Sequence, residues 1–214
     1  MATLNLWKNV AVAMQSAIGT GIAISGVTKA SPAVVTTGSA HSYSNGDYVY
    51  ISSNGMWQIN GRVFRITAAS GSTLTLEGQD STLFDTFTSG YVYKLTYGTS
   101  ITTALDWQGS GGGFSYIDAT TIHGNQRVQT PGLPEPVSYT FNNIWDPSDA
   151  AQVAMKAASD TQAQRAFKIT FSTGAIVVFS GFVGYSATPG GSAQDKVTSQ
   201  ATISAYGPLT QYSS

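Results

Sequence analysis

The sequence predicts a mainly β protein: a β-sandwich or barrel carrying one α-helix at about residues 147–161, plus a small inserted all-β domain. Three observations predict it. Apolar and polar residues alternate with period two through nearly every segment, as half-buried strands require. Turn sequences rich in Gly, Asn, Ser and Pro interrupt that alternation at short intervals. A single Ala-rich run departs from it and opens on a helix-start signal.

The elements follow in order. Val10–Gly26 is small and mildly apolar, broken by Gln15, Ser16, Gly19, Thr20 and Gly21, and reads as strand plus turn. Ile22–Thr28, Ala33–Thr37, Asp47–Ser53, Arg62–Ala68, Thr73–Glu77 and Tyr91–Thr96 read as six short strands. Ser31-Pro32, Ser44-Asn-Gly-Asp47, Asn54-Gly55, Asn60-Gly61 and Ser70-Gly-Ser72 supply the turns between them. Six strands so spaced suggest a small sandwich or partly closed barrel spanning 22–96. A second region follows it in the chain. Tyr48, Tyr50, Trp57, Phe64, Tyr91 and Tyr93 cluster in the insert. They serve either as core and cross-strand pairs or as an exposed sugar-binding surface.

Beyond the insert, Tyr97–Trp107 and Phe114–Ala119 flank Gln108-Gly-Ser-Gly-Gly-Gly113, which has the composition of a mobile linker. Pro131-Gly-Leu-Pro-Glu-Pro136 reads as a turn or connector, and Val137–Asn142 resumes alternation. Asp146-Pro-Ser-Asp149 supplies an N-cap, a Pro at the first helical position and an acid in the first turn. The helix it opens, Ala150–Gln162, carries a thin stripe of small residues suited to close packing on a sheet. Ala166–Ser172 and Ala175–Val183 form a hairpin around Thr173-Gly174. Its second arm is apolar on both faces, so it is central and covered twice. Val197–Ala205 is the closing strand.

Composition directs attention to assembly before catalysis. Charged residues make up 10% of the chain, against roughly 25% in an ordinary soluble domain. A free monomer relies on surface charge to stay dispersed, so a chain this neutral assigns much of its surface to copies of itself or to a partner. The net charge of −1 leaves no basic footprint for gripping nucleic acid phosphates. With no cysteine, disulfides and thiolate-ligated metals are excluded. The first residues lack a basic start and an apolar run, so no signal peptide is expected, and no stretch is apolar enough for a membrane helix.

Catalytic patterns are missing: there is no nucleophile elbow and no phosphate-binding loop. His41 and His123 lie outside any metal-binding spacing and read as surface loop residues. Asp146 and Asp149 are explained by capping, Asp160 lies in a different turn, and Asp80 and Asp85 lack calcium-loop spacing. The expectation is no enzyme, no cofactor and no metal. Trp7, Trp107 and Trp145 are expected to anchor packing or subunit contacts.

The stretch Arg165-Ala-Phe-Lys-Ile-Thr-Phe-Ser-Thr-Gly-Ala-Ile-Val-Val-Phe-Ser-Gly-Phe-Val183 resembles the major tail tube protein of long-tailed, non-contractile, lambda-like siphovirus phages. The order of elements over residues 100–207, closing on Val197-Thr-Ser-Gln-Ala-Thr-Ile-Ser-Ala-Tyr-Gly207, is similar too. Ile24-Ser-Gly-Val-Thr-Lys-Ala-Ser-Pro-Ala-Val-Val-Thr37, His41-Ser-Tyr-Ser-Asn-Gly-Asp-Tyr-Val49 and Gly55-Met-Trp-Gln-Ile-Asn-Gly-Arg-Val-Phe64 resemble a phage-associated β-module. That module is similar to the FCCH-type domain of ubiquitin-activating enzymes, and the likeness implies a fold without ubiquitin chemistry.

The resemblance implies a virion protein made in the host cytoplasm. Copies would form homohexameric rings around one continuous inner barrel, and rings would stack into a tube for genome ejection. Residues 22–96 would be a module inserted into one discontinuous tube domain made of residues 1–21 and 97–214, and would decorate the exterior. Implied partners are sister copies, the tape measure, terminator and tail-tip proteins, and DNA that transits without specific binding. Two other readings stay open: a terminator or connector of the same fold, and a module that binds host-surface carbohydrate.

The residues offer their own version of a lumen. The polar faces of two strands, Ser138 and Thr140 on one and Thr198, Gln200, Thr202 and Ser204 on the other, are candidates to line it. The alternative is an ordinary solvent-facing surface. Gly111, Gly112 and Gly113, with Pro189, Gly190 and Gly191, are candidate contacts between rings; the alternative is plain surface loop.

Overall fold

The computed structural model describes residues 4–213. In chain order the elements are β1 (Ala11–Ile18), β2 (Ile22–Val27), β3 (Val34–Thr37), β4 (Tyr48–Asn54), β5 (Arg62–Ser70), β6 (Thr73–Leu76), β7 (Ser89–Ile101), β8 (Gln108–Ser110), β9 (Phe114–Asp118), β10 (Gln129–Pro134), β11 (Ser138–Ile144), α1 (Ala150–Asp160), β12 (Arg165–Thr170), β13 (Ile176–Tyr185), β14 (Thr198–Ala205) and β15 (Thr210–Tyr212). The mainly β, one-helix fold class read from the sequence is the one observed.

The first lobe is a closed ring of six antiparallel strands. β2 pairs β3, β3 pairs β6, β6 pairs β5, β5 pairs β4, β4 pairs β7, and β7 returns to β2. Closure leaves no open strand edge in this barrel. Alternation puts Val49 and Ile51 of β4, Phe64 and Ile66 of β5, Leu74 and Leu76 of β6 and Val92 of β7 inside, all buried. The aromatics divide: Phe64 is core, whereas Trp57, on a short 3-10 turn, is 66% exposed and Tyr91 is half exposed. The core expectation fails for these two because each points away from the barrel interior.

The second lobe is a sheet in the order β7–β1–β12–β13–β14–β11–β8, with β15 on the first half of β13. β7 belongs to both lobes. Its first half pairs β4 and its second half pairs β1. Val12 and Met14 (β1), Ile101 (β7), Phe167 (β12), Phe179 (β13), Ile203 (β14) and Phe141 (β11) share one core with Ala151, Met155 and Ala158 of α1. Residues from both ends of the strand order meet there, so the sheet curls around that core. The alanines let the helix backbone approach closely.

Two local expectations are corrected. The helix begins at Ala150, not Pro147, and its N-cap is Asp149, whose carboxylate accepts from Gln152 N. Asp146 instead turns the preceding chain by accepting from the Ser148 backbone and hydroxyl. Gln108–Ser110 is strand, not linker, because Ser138–Thr140 of β11 pair with it.

β13 is central and covered twice. Phe179 faces the helix side, and Val178, 0% exposed, faces the barrel. A small third core joins the lobes: Val63 and Leu95 from the barrel pack on Ala166, Val178 and Tyr212. Arg65 N donates to Tyr212 Oη at 2.6 Å, and Arg62 Nη2 donates to Thr210 Oγ1 at 3.2 Å. Gly61 has a positive φ, and a Cβ there would overlap the Tyr206 ring of the second lobe. The barrel therefore shields one part of the second sheet; burying a side chain such as Val178 stabilises by about 1.5–3 kcal/mol.

Candidate functional site

The six candidate lumen residues come together. β11 and β14 pair in register, with Ser138 opposite Ser204, Thr140 opposite Thr202, Asn142 opposite Gln200 and Ile144 opposite Thr198. Directly opposed residues share a face, so the polar side chains form one ladder, with the Thr140 and Thr202 hydroxyls 3.5 Å apart. β8 extends the ladder with Gln108 and Ser110, and β13 adds Phe182 and Gly184. None of these side chains is charged. The nearby Asp106 is engaged by Asn142, which donates from its backbone and amide at 2.8 and 2.9 Å. Alternation sends the intervening residues, Phe141, Ala201 and Ile203, into the core.

The two candidate loops lie at opposite ends of this ladder. Gly111 and Gly112, both at positive φ, precede Gly113 and sit against Pro136 and Val137, beside the Ser138 end. Gly190 bridges Thr198 with reciprocal backbone bonds of 2.8 Å, placing Pro189-Gly190-Gly191 at the other end. Trp145 Nε1 donates to Ala187 O at 3.0 Å and anchors the start of that second loop. The ladder between them spans seven residues, about 20 Å at strand rise.

One feature escaped sequence reasoning. The β8–β11 hairpin continues past its glycines as an arm. Gly112 N donates to Glu135 O, Glu135 N donates to Gly113 O, and β9 pairs β10 beyond them. Every residue from Phe114 to Pro131 is exposed. Phe114, Tyr116, Ile117, Val128, Leu133 (83% exposed) and Ile122 (96% exposed) lack any core to enter. A two-stranded ribbon is marginal in water without a surface to pack on. The sequence signal was available: Phe114-Ser-Tyr-Ile-Asp118 alternates like a strand, yet the prolines of 131–136 reduce its partner's capacity to join a larger sheet.

Backbone edges are also open. Among the described residues, 96–101 of β7 carry a strand on one side only, β1, and β8 is paired by β11 alone. No described grouping of His, Asp and Glu is arranged to hold a metal, and no described helix is long and apolar enough to cross a membrane. His41 stacks on Tyr43, and Asp80 accepts from Thr82, both as local turn contacts. At the lobe junction, burial pushes the Tyr212 phenol up to about 12, and desolvation lowers the pKa of Arg62.

A family model described as phage tail tube protein, TTP, matches residues 54–214, about three quarters of the chain. The match begins at the end of β4 and so takes in β5, β6 and β7 of the barrel as well as the whole second sheet after β1. No curated protein matches the chain.

Proposed function

The chain belongs to the phage tail tube protein family, and from that premise we propose that copies of it polymerise as stacked hexameric rings into the hollow tail tube of a siphovirus. It is a structural component of the virion, in a family that implies self-assembly and contact with other tail proteins. Tape measure, terminator and tail tip are the specific partners of this reading.

The observation that carries it is the uncharged ladder bracketed at both ends by Gly/Pro loops. In this reading the ladder lines the lumen and runs from one ring face to the other, and Gly111–Gly113 and Pro189–Gly191 meet the neighbouring rings. Ser138, Thr140, Thr198, Gln200, Thr202 and Ser204 wet the wall without a row of cations. DNA passes such a wall without being held, because phosphate binding needs Lys and Arg. The open edges of β7 and β8 are completed by strands of the adjacent copy, which turns an aggregation liability into a contact. A heterologous contact that closes makes a ring, and repetition of the loop contacts makes a stack. The barrel, built as an insertion between β1 and the second half of β7, sits outside the wall.

Electron microscopy of the purified chain tests the reading. Long hollow filaments are expected. Single closed rings that never stack would assign it a terminator role, and dispersed monomers would remove the polymer altogether.

A further inference from the structure

We propose that the arm of one copy docks face-on into an indole-lined groove of a second copy. The inference rests on the polymer reading above and names the surface that holds the copies together.

The groove lies where the chain enters β1 and leaves β7, and it encloses about 520 Å³. Trp7, Val10, Val12, Ile101, Leu105 and Trp107 supply its apolar lining. The two indoles are parallel, 6.4 Å apart; Trp107 also stacks on Phe141 at 4.1 Å and Trp7 packs on Phe171 at 5.4 Å. Trp107 is thus fixed on a core ring, and Trp7 rests on Trp107 and on the partly buried Phe171. Its one charged lining residue, Asp106, is occupied by Asn142.

The arm presents the matching chemistry. Phe114 and Tyr116, two residues apart on β9, share one face; Pro134 lies opposite Phe114 and Pro131 opposite Tyr116, with a register irregularity between the two prolines. Proline has no N–H, so β10 cannot extend a ladder along its outer edge. Edge-to-edge growth is closed to that strand, and docking by the face remains. Proline and aromatic rings against a rigid aromatic slot is a combination that binds at low entropic cost. The arm cannot use its own groove. Trp107 leads directly into β8, and Phe114 lies seven residues farther out along an extended ladder, about 3.3 Å per residue. Folding back would break the β8–β11 pairing, so the occupant is another copy.

The chain has no cysteine, so introduced sulfurs report unambiguously. Chains carrying Phe114→Cys or Tyr116→Cys are each mixed with a Leu105→Cys chain, polymerised and oxidised. All three positions are exposed, so the variants are expected to fold. Disulfide-linked dimers are expected between Leu105→Cys and the two aromatic positions, and none with a Leu83→Cys control on the barrel. As a second measurement, the double variant Phe114→Ser/Tyr116→Ser is expected to need a roughly tenfold higher concentration to polymerise, the loss of a modest contact. Filaments that form without any such cross-link, together with a serine variant that polymerises like the parent, would overturn the docking while leaving the polymer reading standing. A parent chain that never polymerises would remove both.

Discussion

The barrel and the arm are built from the same kind of residue and reach opposite outcomes. Both are antiparallel, rich in Thr, Ser and Gly, and dotted with aromatics. The barrel closes on itself, so every strand has two neighbours and Phe64 is fully buried. The arm has two strands, no interior, and Phe114 more than half exposed. The difference lies in closure rather than composition. A closed lobe carries its own stability, whereas an open ribbon borrows it from whatever covers its face.

Substitutions can break that comparison, beginning with the largest effect. Val178→Asp buries a carboxylate between the sheet and the barrel, opposite Lys168, whose ammonium is already held over the Tyr48 and Tyr97 rings, a loss of about 3 kcal/mol or more. No folded chain is expected by circular dichroism; a folded, soluble variant would mean that β13 is not covered by the barrel. Excising residues 22–96 has a related consequence, since it uncovers Ala166, Val178 and Tyr212. Insolubility is expected unless those positions are also made polar.

The most informative pair is Phe64→Ala against Phe114→Ala. The first empties a closed core and should cost about 3–5 kcal/mol in denaturant melts. The second should change monomer stability by less than about 0.5 kcal/mol while weakening polymerisation. Equal losses in the two melts would show that the arm has a core of its own.

Asp149→Ala removes the helix cap and should cost about 1 kcal/mol, visible as a small shift in the melt of the second lobe. A pH effect is expected only in strongly alkaline solution. Burial raises Tyr212 from 10.0 to about 12, so the folded chain holds the neutral phenol. That stability is complete below pH 10 and declines as pH rises through 12, because the unfolded chain ionises first. The lobe junction should loosen over that window, and Tyr212→Phe should flatten the dependence at the cost of the Arg65 N–H bond. An unchanged pH profile in Tyr212→Phe would assign the loss to other buried phenols such as Tyr97, whose pKa burial also raises.

Local signals in the sequence were enough for the β12–β13 hairpin, the six strands of 22–96 and the polar faces of β11 and β14 taken singly, though not for their pairing. In each, alternation and turn chemistry act within a few residues. Closure of the barrel was not legible, because the β2–β7 and β3–β6 pairings join strands far apart in the chain. β8 was hidden for the same reason: a Gly-rich tripeptide becomes strand only because β11 lies beside it. The arm was missed because apolar alternation ordinarily means burial, and nothing in Phe114–Asp118 itself records that no core lies beneath it. Trp57 misled in the same way, as a large aromatic placed on a turn instead of inside.

Amide hydrogen exchange, compared between the dispersed chain and its polymer, tests most directly whether sister copies complete one another. The account predicts that residues 96–101, 108–110 and 114–118 exchange quickly when dispersed and become protected in the polymer, while β4 and β5 of the barrel stay equally protected in both. Edges and arm that remain fast inside an assembled filament would contradict it.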